Sequence, residues 1–81
     1  MNLLGIKKVD YVSQKTGKNV LGWNLYLSFP LQNNNLEQGY GCQREFISAS
    51  HFDDAPWDLI GKQITILYNK YGNVDSIRKE D

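Results

Sequence analysis

The hydrophobic and polar positions alternate most clearly in residues 21–29, LGWNLYLSF. A large apolar side chain stands at every second position of this segment: Leu21, Trp23, Leu25, Leu27 and Phe29. A period of two is the pattern of a strand that turns one face to a core. The pattern therefore predicts a strand with these five residues on its buried face and Tyr26 on the other.

Residues 3–13 and 40–49 also predict strands, because both are rich in β-branched and aromatic residues. Apolar side chains in the first segment fall on both parities, so we predict a bulge at or after Lys7–Lys8 that shifts the face. In the second segment Phe46 and Ile47 have opposite parity, which leaves the facing open, and we expect Phe46 in the core. Gly17 suits a hairpin loop between the first two strands.

Residues 50–61, SHFDDAPWDLIG, interrupt the β pattern. Asp54 is a suitable N-cap residue, Pro56 is tolerated in a first helical turn, and Gly61 suits the position after a helix. We predict a short helix over residues 54–60. Its Trp57 and Ile60 side chains, three positions apart, would pack against a β-barrel.

The segment 59–74, LIGKQITILYNKYGNV, predicts a final hairpin. Ile64 and Ile66 alternate with polar residues, and Gly72 suits the left-handed position of the turn. Tyr71 at the tip has two interpretations, since it can cover the end of a barrel or contact a ligand together with Lys70.

The predicted order is strand, strand, strand, short helix, strand, strand. This order is typical of the five-stranded OB-fold barrel, and a small SH3-like barrel is the alternative. We therefore expect an all-β chain with one short helix, folded as a single β-barrel domain over residues 1–81. The predicted core consists of Leu25, Leu27, Phe29, Ile64 and Ile66, with Trp23 and Phe46.

The charge balance and the scarcity of cysteine and histidine narrow the range of possible functions. Nine basic residues balance nine acidic ones, although residues 1–18 carry four lysines against one aspartate. The one cysteine, Cys42, excludes an internal disulfide framework and fits a reducing, cytoplasmic setting. Cys42 and the one histidine, His51, supply half of a closed zinc shell and no recognisable nucleophile–base motif. Helix capping and solvation explain the nearby Asp53, Asp54 and Asp58. We therefore expect that the protein is not an enzyme and that it binds no metal or cofactor.

No secretory signal or membrane span is expected, because the apolar run of the first residues is interrupted by Lys7 and Lys8. The segment 31–41 is polar and about as long as compact domains allow. Such a loop is either flexible or functional.

The motifs KTGK…GWNLYLSF and LIGKQITILYNKYGNVDSI resemble small, largely uncharacterised proteins of Gram-positive bacteria, their phages and integrative elements. The resemblance implies a small β-barrel and a mobile-element origin. A more distant likeness is to the small OB-type single-stranded DNA-binding proteins of filamentous phages. Neither resemblance assigns a catalytic or binding residue.

Two functions remain open. A single-stranded DNA or RNA binder needs aromatic faces for stacking and cations for phosphates. The predicted barrel assigns these roles to Tyr26, Tyr71, Lys15, Lys18, Arg44 and Lys70. The alternative is a protein- or peptide-binding module or accessory subunit, which would use the 31–41 loop or a groove, with Tyr40 and Tyr71 as anchors. The oligomeric state stays open.

Overall fold

The computed structural model describes residues 1–80, so Asp81 of the predicted domain lies outside the described residues. Most of the chain is strand: β1 Asn2–Val12, β2 Asn19–Pro30, β3 Tyr40–Ser48, β4 Ile64–Tyr68 and β5 Val74–Lys79. A single turn of 3₁₀ helix, Trp57–Leu59, stands between β3 and β4. The predicted all-β class with one short helical element is confirmed, and so is the order of the elements. No helix within residues 1–80 has the length and apolar character needed to cross a membrane.

The strands form two open antiparallel sheets, so the predicted closed barrel is wrong. One sheet has the order β1-β2-β3, and the other consists of β4 and β5. Within residues 1–80, β3 and β5 share no strand pairing. The reason lies in the lengths, since β4 and β5 have five and six residues against eleven and twelve in β1 and β2. The short hairpin cannot follow the long sheet around a barrel.

A backbone seam joins the two sheets, and we define it as residues 1–3 together with residues 61–64. Leu3 donates its N–H to the carbonyl of Lys62 at 3.0 Å and accepts from the N–H of Gly61 at 2.7 Å. Ile64 donates to the carbonyl of Met1 at 2.7 Å, and the Met1 ammonium donates back at 3.1 Å. Buried polar backbone is expected to be paired in this way, and here the pairing fixes how β1 meets β4.

The core lies between the β4–β5 hairpin and one face of the three-stranded sheet. Its buried apolar residues are Leu3, Trp23, Leu25, Leu27, Ile47, Ala55, Ile64, Ile66 and Val74. The predictions for Leu25, Leu27, Ile64, Ile66 and Trp23 are confirmed. Phe29 is only half-buried.

The predicted burial of Leu21, Trp57 and Ile60 is also wrong, and the reason is what covers each side chain. Leu21 lies on the predicted face but is 44 % exposed, since the short β4–β5 hairpin does not reach that end of β2. Trp57 and Ile60 are exposed as well. The single 3₁₀ turn presents its Leu59 to the core instead, while the Trp57 indole donates to the carboxylate of Asp54 at 2.9 Å.

Strand β1 contains a bulge at Leu4, and not at the predicted Lys7–Lys8. Leu3 is paired with Leu27 and Gly5 with Tyr26, which leaves Leu4 as the extra residue. Pairing is regular from Gly5 to the end of the strand. The bulge therefore shifts the face before the two lysines, and Leu3 becomes the buried residue.

The predicted final hairpin is confirmed. β4 and β5 pair antiparallel, and Gly72 in their turn has a φ of 81°. Only glycine adopts this left-handed region at no steric cost. The β1–β2 turn uses Gly17 in the same way, with a φ of 69°.

Candidate nucleic-acid interface

The three-stranded sheet has an outer face, on the side opposite the core. Side chains alternate between the faces of a strand, and the pairing register aligns those of β1, β2 and β3. The large side chains of the outer face are Leu4, Lys7, Val9, Tyr11, Val20, Tyr26, Tyr40, Arg44 and Phe46. Solvent reaches its aromatic rings, since Tyr26 is 37 %, Phe46 is 40 % and Tyr11 is 55 % exposed.

Tyr26 and Arg44 are direct neighbours on this face. They form a cross-strand pair between β2 and β3, and Gly5 of β1 is the partner of Tyr26 on its other side. Gly5 has no side chain and open space above it, so the phenol ring is not enclosed from β1. The structure thus brings together two of the six residues that the sequence proposed for binding.

Phe46 and Lys7 extend the same surface one row further along the strands. Both are paired with Asn24 of β2, Lys7 from β1 and Phe46 from β3. Phe46 was predicted in the core, and the prediction is wrong because residues two apart in a strand share a face. Arg44 lies two positions before Phe46, so a strand that exposes Arg44 exposes Phe46 as well.

Positive charge on the outer face is not balanced by acid. Lys7 and Arg44 lie there, whereas the two acidic residues of this sheet, Asp10 and Glu45, alternate onto the other face. Within residues 1–80, the one close contact between a basic side chain and a carboxylate is that of His51 with Asp75, at 3.7 Å. Lys7 and Arg44 therefore remain available to an anionic ligand.

The other four proposed residues lie in turns. Lys15 and Lys18 occupy the β1–β2 turn. Tyr26 is eight positions beyond Lys18, a distance of about 27 Å along an extended strand, so these lysines do not adjoin the Tyr26–Arg44 pair.

Lys70 and Tyr71 occupy the turn of the second sheet. The Lys70 ammonium lies 5.1 Å from the centre of the Tyr71 ring, in the range of a cation–π contact. Tyr71 is 75 % exposed. The interpretation in which Tyr71 covers the end of a barrel is therefore wrong.

The long polar connection between β2 and β3 is organised by its own side chains. The Asn34 carboxamide oxygen accepts the N–H groups of Leu36 and Glu37 at 2.8 and 3.1 Å. Glu37 in turn accepts the N–H of Gln32 at 2.8 Å. Such side-chain bonds to nearby backbone stabilise turns, and they leave Leu36 and Tyr40 pointing to solvent.

The acidic segment after β3 has structural contacts. Asp54 accepts the N–H of Ala55 at 2.8 Å in addition to the Trp57 indole. His51 Nε2 lies 2.9 Å from the carbonyl oxygen of Asp75, which ties this segment to β5. Within the part of the chain that the structure describes, no three His, Cys, Asp or Glu side chains gather where they could hold a metal ion.

A second side-chain link joins β3 to β4. The Tyr68 hydroxyl donates to Glu45 at 2.8 Å, and Gln43 donates to the same carboxylate at 3.0 Å. Burial raises the pKa of Tyr68 above its ordinary value, and the hydrogen bond to Glu45 and the charge of that carboxylate raise it further. This link lies on the core side of the sheet and leaves the outer face free.

No protein-family model, curated protein or solved structure matches this chain. The resemblance to small proteins of mobile elements, and the cytoplasmic location, stay predictions. The functional argument therefore depends on the outer face itself.

Proposed function

We propose that this chain is a non-enzymatic binding protein that binds single-stranded DNA or RNA through the outer face. The observation that supports the proposal is the composition of this face. Three exposed aromatic rings, those of Tyr11, Tyr26 and Phe46, share one face of an antiparallel sheet with Lys7 and Arg44, and no acidic side chain of the sheet lies among them.

The chemistry of this face suits unpaired nucleotides. Bases stack on aromatic side chains with about 1–3 kcal/mol each, whatever their sequence. Arg44 beside Tyr26, and Lys7 in the row of Phe46, would contact phosphates next to stacked bases. When two cations of the protein neutralise two phosphates, few counterions leave the nucleic acid, so we expect a weak binding affinity. For two phosphates on a single strand, the slope of log K against log salt concentration would be about −1.4.

A titration with oligo-dT at low salt, followed by NMR, tests the proposal. We expect saturable shifts at Tyr11, Tyr26 and Phe46 that weaken as salt is added. Trp57 is a matched control, because its ring is exposed but lies in the 3₁₀ turn outside the three-stranded sheet. A spectrum left unchanged by the oligonucleotide at low salt would contradict the proposal.

The strand neighbours support an OB-like relationship as part of the same proposal. The spatial order of the strands is β3, β2, β1 and then, across the seam, β4 and β5. This is the order of a five-stranded barrel that is open between β3 and β5. In OB-folds the oligonucleotide lies on a sheet face and the adjoining loops. The SH3-like alternative stays open.

The open edge of β3 favours a protein or peptide partner as the second candidate. Within residues 1–80, β3 is paired only with β2, so its other edge presents unpaired backbone groups. An extended peptide can add to such an edge as another strand. In the same NMR experiment, shifts confined to backbone amides of β3 on adding an extended peptide would support this candidate.

A further inference from the structure

The bulge in β1 gives the outer face an additional apolar side chain. Because Leu4 is the extra residue, Leu4 and Gly5 both lie on the outer side, whereas Leu3 before them is fully buried. Leu4 is 56 % exposed, an unfavourable position for a large aliphatic side chain in water. Bulges commonly re-aim a side chain next to functional sites.

The Leu4 side chain forms one wall of a shallow pocket. The residues that line the pocket are Leu4, Tyr26, Leu27, Cys42, Gln43 and Arg44. Leucine, tyrosine and arginine residues therefore meet at one place. Gly5, beside Tyr26, adds no side chain that would narrow it.

We propose, on the basis of the function proposed above, that this pocket holds one nucleobase, stacked on Tyr26 and against Leu4, with the adjoining phosphate on Arg44. A base offers two apolar faces and is attached to an anion, which matches the apolar walls and the cation of Arg44, for which residues 1–80 supply no acidic partner. An aliphatic peptide side chain would fill the apolar part alone and leave Arg44 without a partner. The charge of the outer face therefore favours the nucleotide.

Cys42 makes the pocket directly testable, since it lines the pocket, is exposed, and is the one cysteine of the chain. The experiment measures the rate of Cys42 alkylation by iodoacetamide, by intact mass, with and without oligo-dT. An oligonucleotide of the same length that lacks bases serves as the matched ligand control. NMR of Phe46 and Tyr11 in the same samples reports binding elsewhere on the outer face.

We expect oligo-dT to slow alkylation in proportion to occupancy, about tenfold at a free concentration about nine times the Kd. The abasic oligonucleotide should give no protection at equal occupancy. Leu4→Ala should weaken the protection by dT, whereas Leu36→Ala, in the connection before β3, should leave it unchanged.

The remaining outcomes separate this inference from the proposed function. Equal protection by both oligonucleotides would show that the backbone, and not a base, lies over the pocket, and would overturn the inference. Shifts at Phe46 and Tyr11 with no protection of Cys42 would overturn it while leaving the outer face as a binding surface. No binding by either readout would overturn the pocket and the proposed function together.

Discussion

The ring of Phe46 lies over Gly22 of the neighbouring strand. A Cβ atom at Gly22 would stand 2.7 Å from Cζ of Phe46 and 2.1 Å from the carbonyl oxygen of Ile47. Phe29 covers Gly41 in the same way between the same two strands, at 2.6 Å. Each glycine thus makes room for an aromatic ring on the adjacent strand, and the first of them fixes the position of an outer-face ring.

The contact predicts that Gly22→Ala destabilises the fold. The new methyl group would meet backbone as well as the ring, and overpacking of this kind costs about 1–3 kcal/mol. Gly5→Ala is the matched control, because a Cβ at Gly5 meets nothing within 4 Å. Urea denaturation should show a lower free energy of unfolding for Gly22→Ala and an unchanged or slightly higher one for Gly5→Ala. Equal stability of the two variants would contradict the contact.

Leu27→Ala should cost about 2–5 kcal/mol, because Leu27 is fully buried and its removal leaves a cavity. That loss is comparable with the whole stability of many small domains. Leu36→Ala provides the control, since Leu36 is 95 % exposed. Thermal unfolding followed by circular dichroism measures both variants. A melting temperature for Leu27→Ala equal to that of the parent would show that the core is assigned wrongly.

How much of the core the sequence predicts depends on what covers each strand. Alternation in β2 identifies Trp23, Leu25 and Leu27 correctly, because the β4–β5 hairpin lies over this part of the sheet. The same alternation fails at Leu21, which extends beyond the hairpin. A period of two gives the face of a side chain, but the length of the covering element decides its burial, and that length comes from another part of the chain.

Alkaline pH should destabilise the fold through Tyr68. The folded state holds the phenol proton more tightly than the unfolded chain, because burial and the bond to Glu45 raise the pKa of Tyr68. The contribution to stability is present in full below about pH 10, the ordinary tyrosine pKa, and is lost as the pH rises through the raised value.

The variant Tyr68→Phe isolates this effect. At neutral pH it should lose about 1 kcal/mol or less, since one partly exposed hydrogen bond is removed. Above about pH 10 its stability should fall less steeply than that of the parent. Tyr40→Phe controls for tyrosine content. Parallel stability curves for the parent and Tyr68→Phe would refute the link.

Two double substitutions of equal charge locate the phosphate contacts. Lys7→Gln with Arg44→Gln removes both cations of the outer face, and Lys15→Gln with Lys18→Gln removes two from the β1–β2 turn. If oligonucleotides bind as proposed, the first pair should abolish most of the salt dependence, at about 0.7 of slope per phosphate, and the second should retain it. Salt-dependent titrations measure both. A larger effect of the turn pair would place the contacts at the turn.

The candidate site, like the core, was predictable from the sequence only in part, because it depends on contacts between separate strands. The position of Tyr26 on the outer face follows from strand parity, which is local, whereas the parity of β3 leaves its facing open, and the expected burial of Phe46 would have placed Arg44 on the core side as well. The pairing of Tyr26 with Arg44, and the addition of Lys7 from β1, depends on the register between strands, and that register is set by the bulge at Leu4. The sequence-based bulge at Lys7–Lys8 would have placed Leu4, Val9 and Tyr11 on the core face, so the local pattern could not assemble this surface.

The seam has a consequence for the order in which the protein assembles. β1–β2, β2–β3 and β4–β5 are each neighbours in sequence, and hairpins of this kind form in about 1–10 μs. The seam instead joins segments about 60 residues apart, a closure that costs about 4 kcal/mol of chain entropy before any contact compensates it. We therefore expect this meeting of distant segments to set the folding rate. The neighbours Tyr26 and Arg44 belong to the local part, so the pairing that brings them together precedes the slow step.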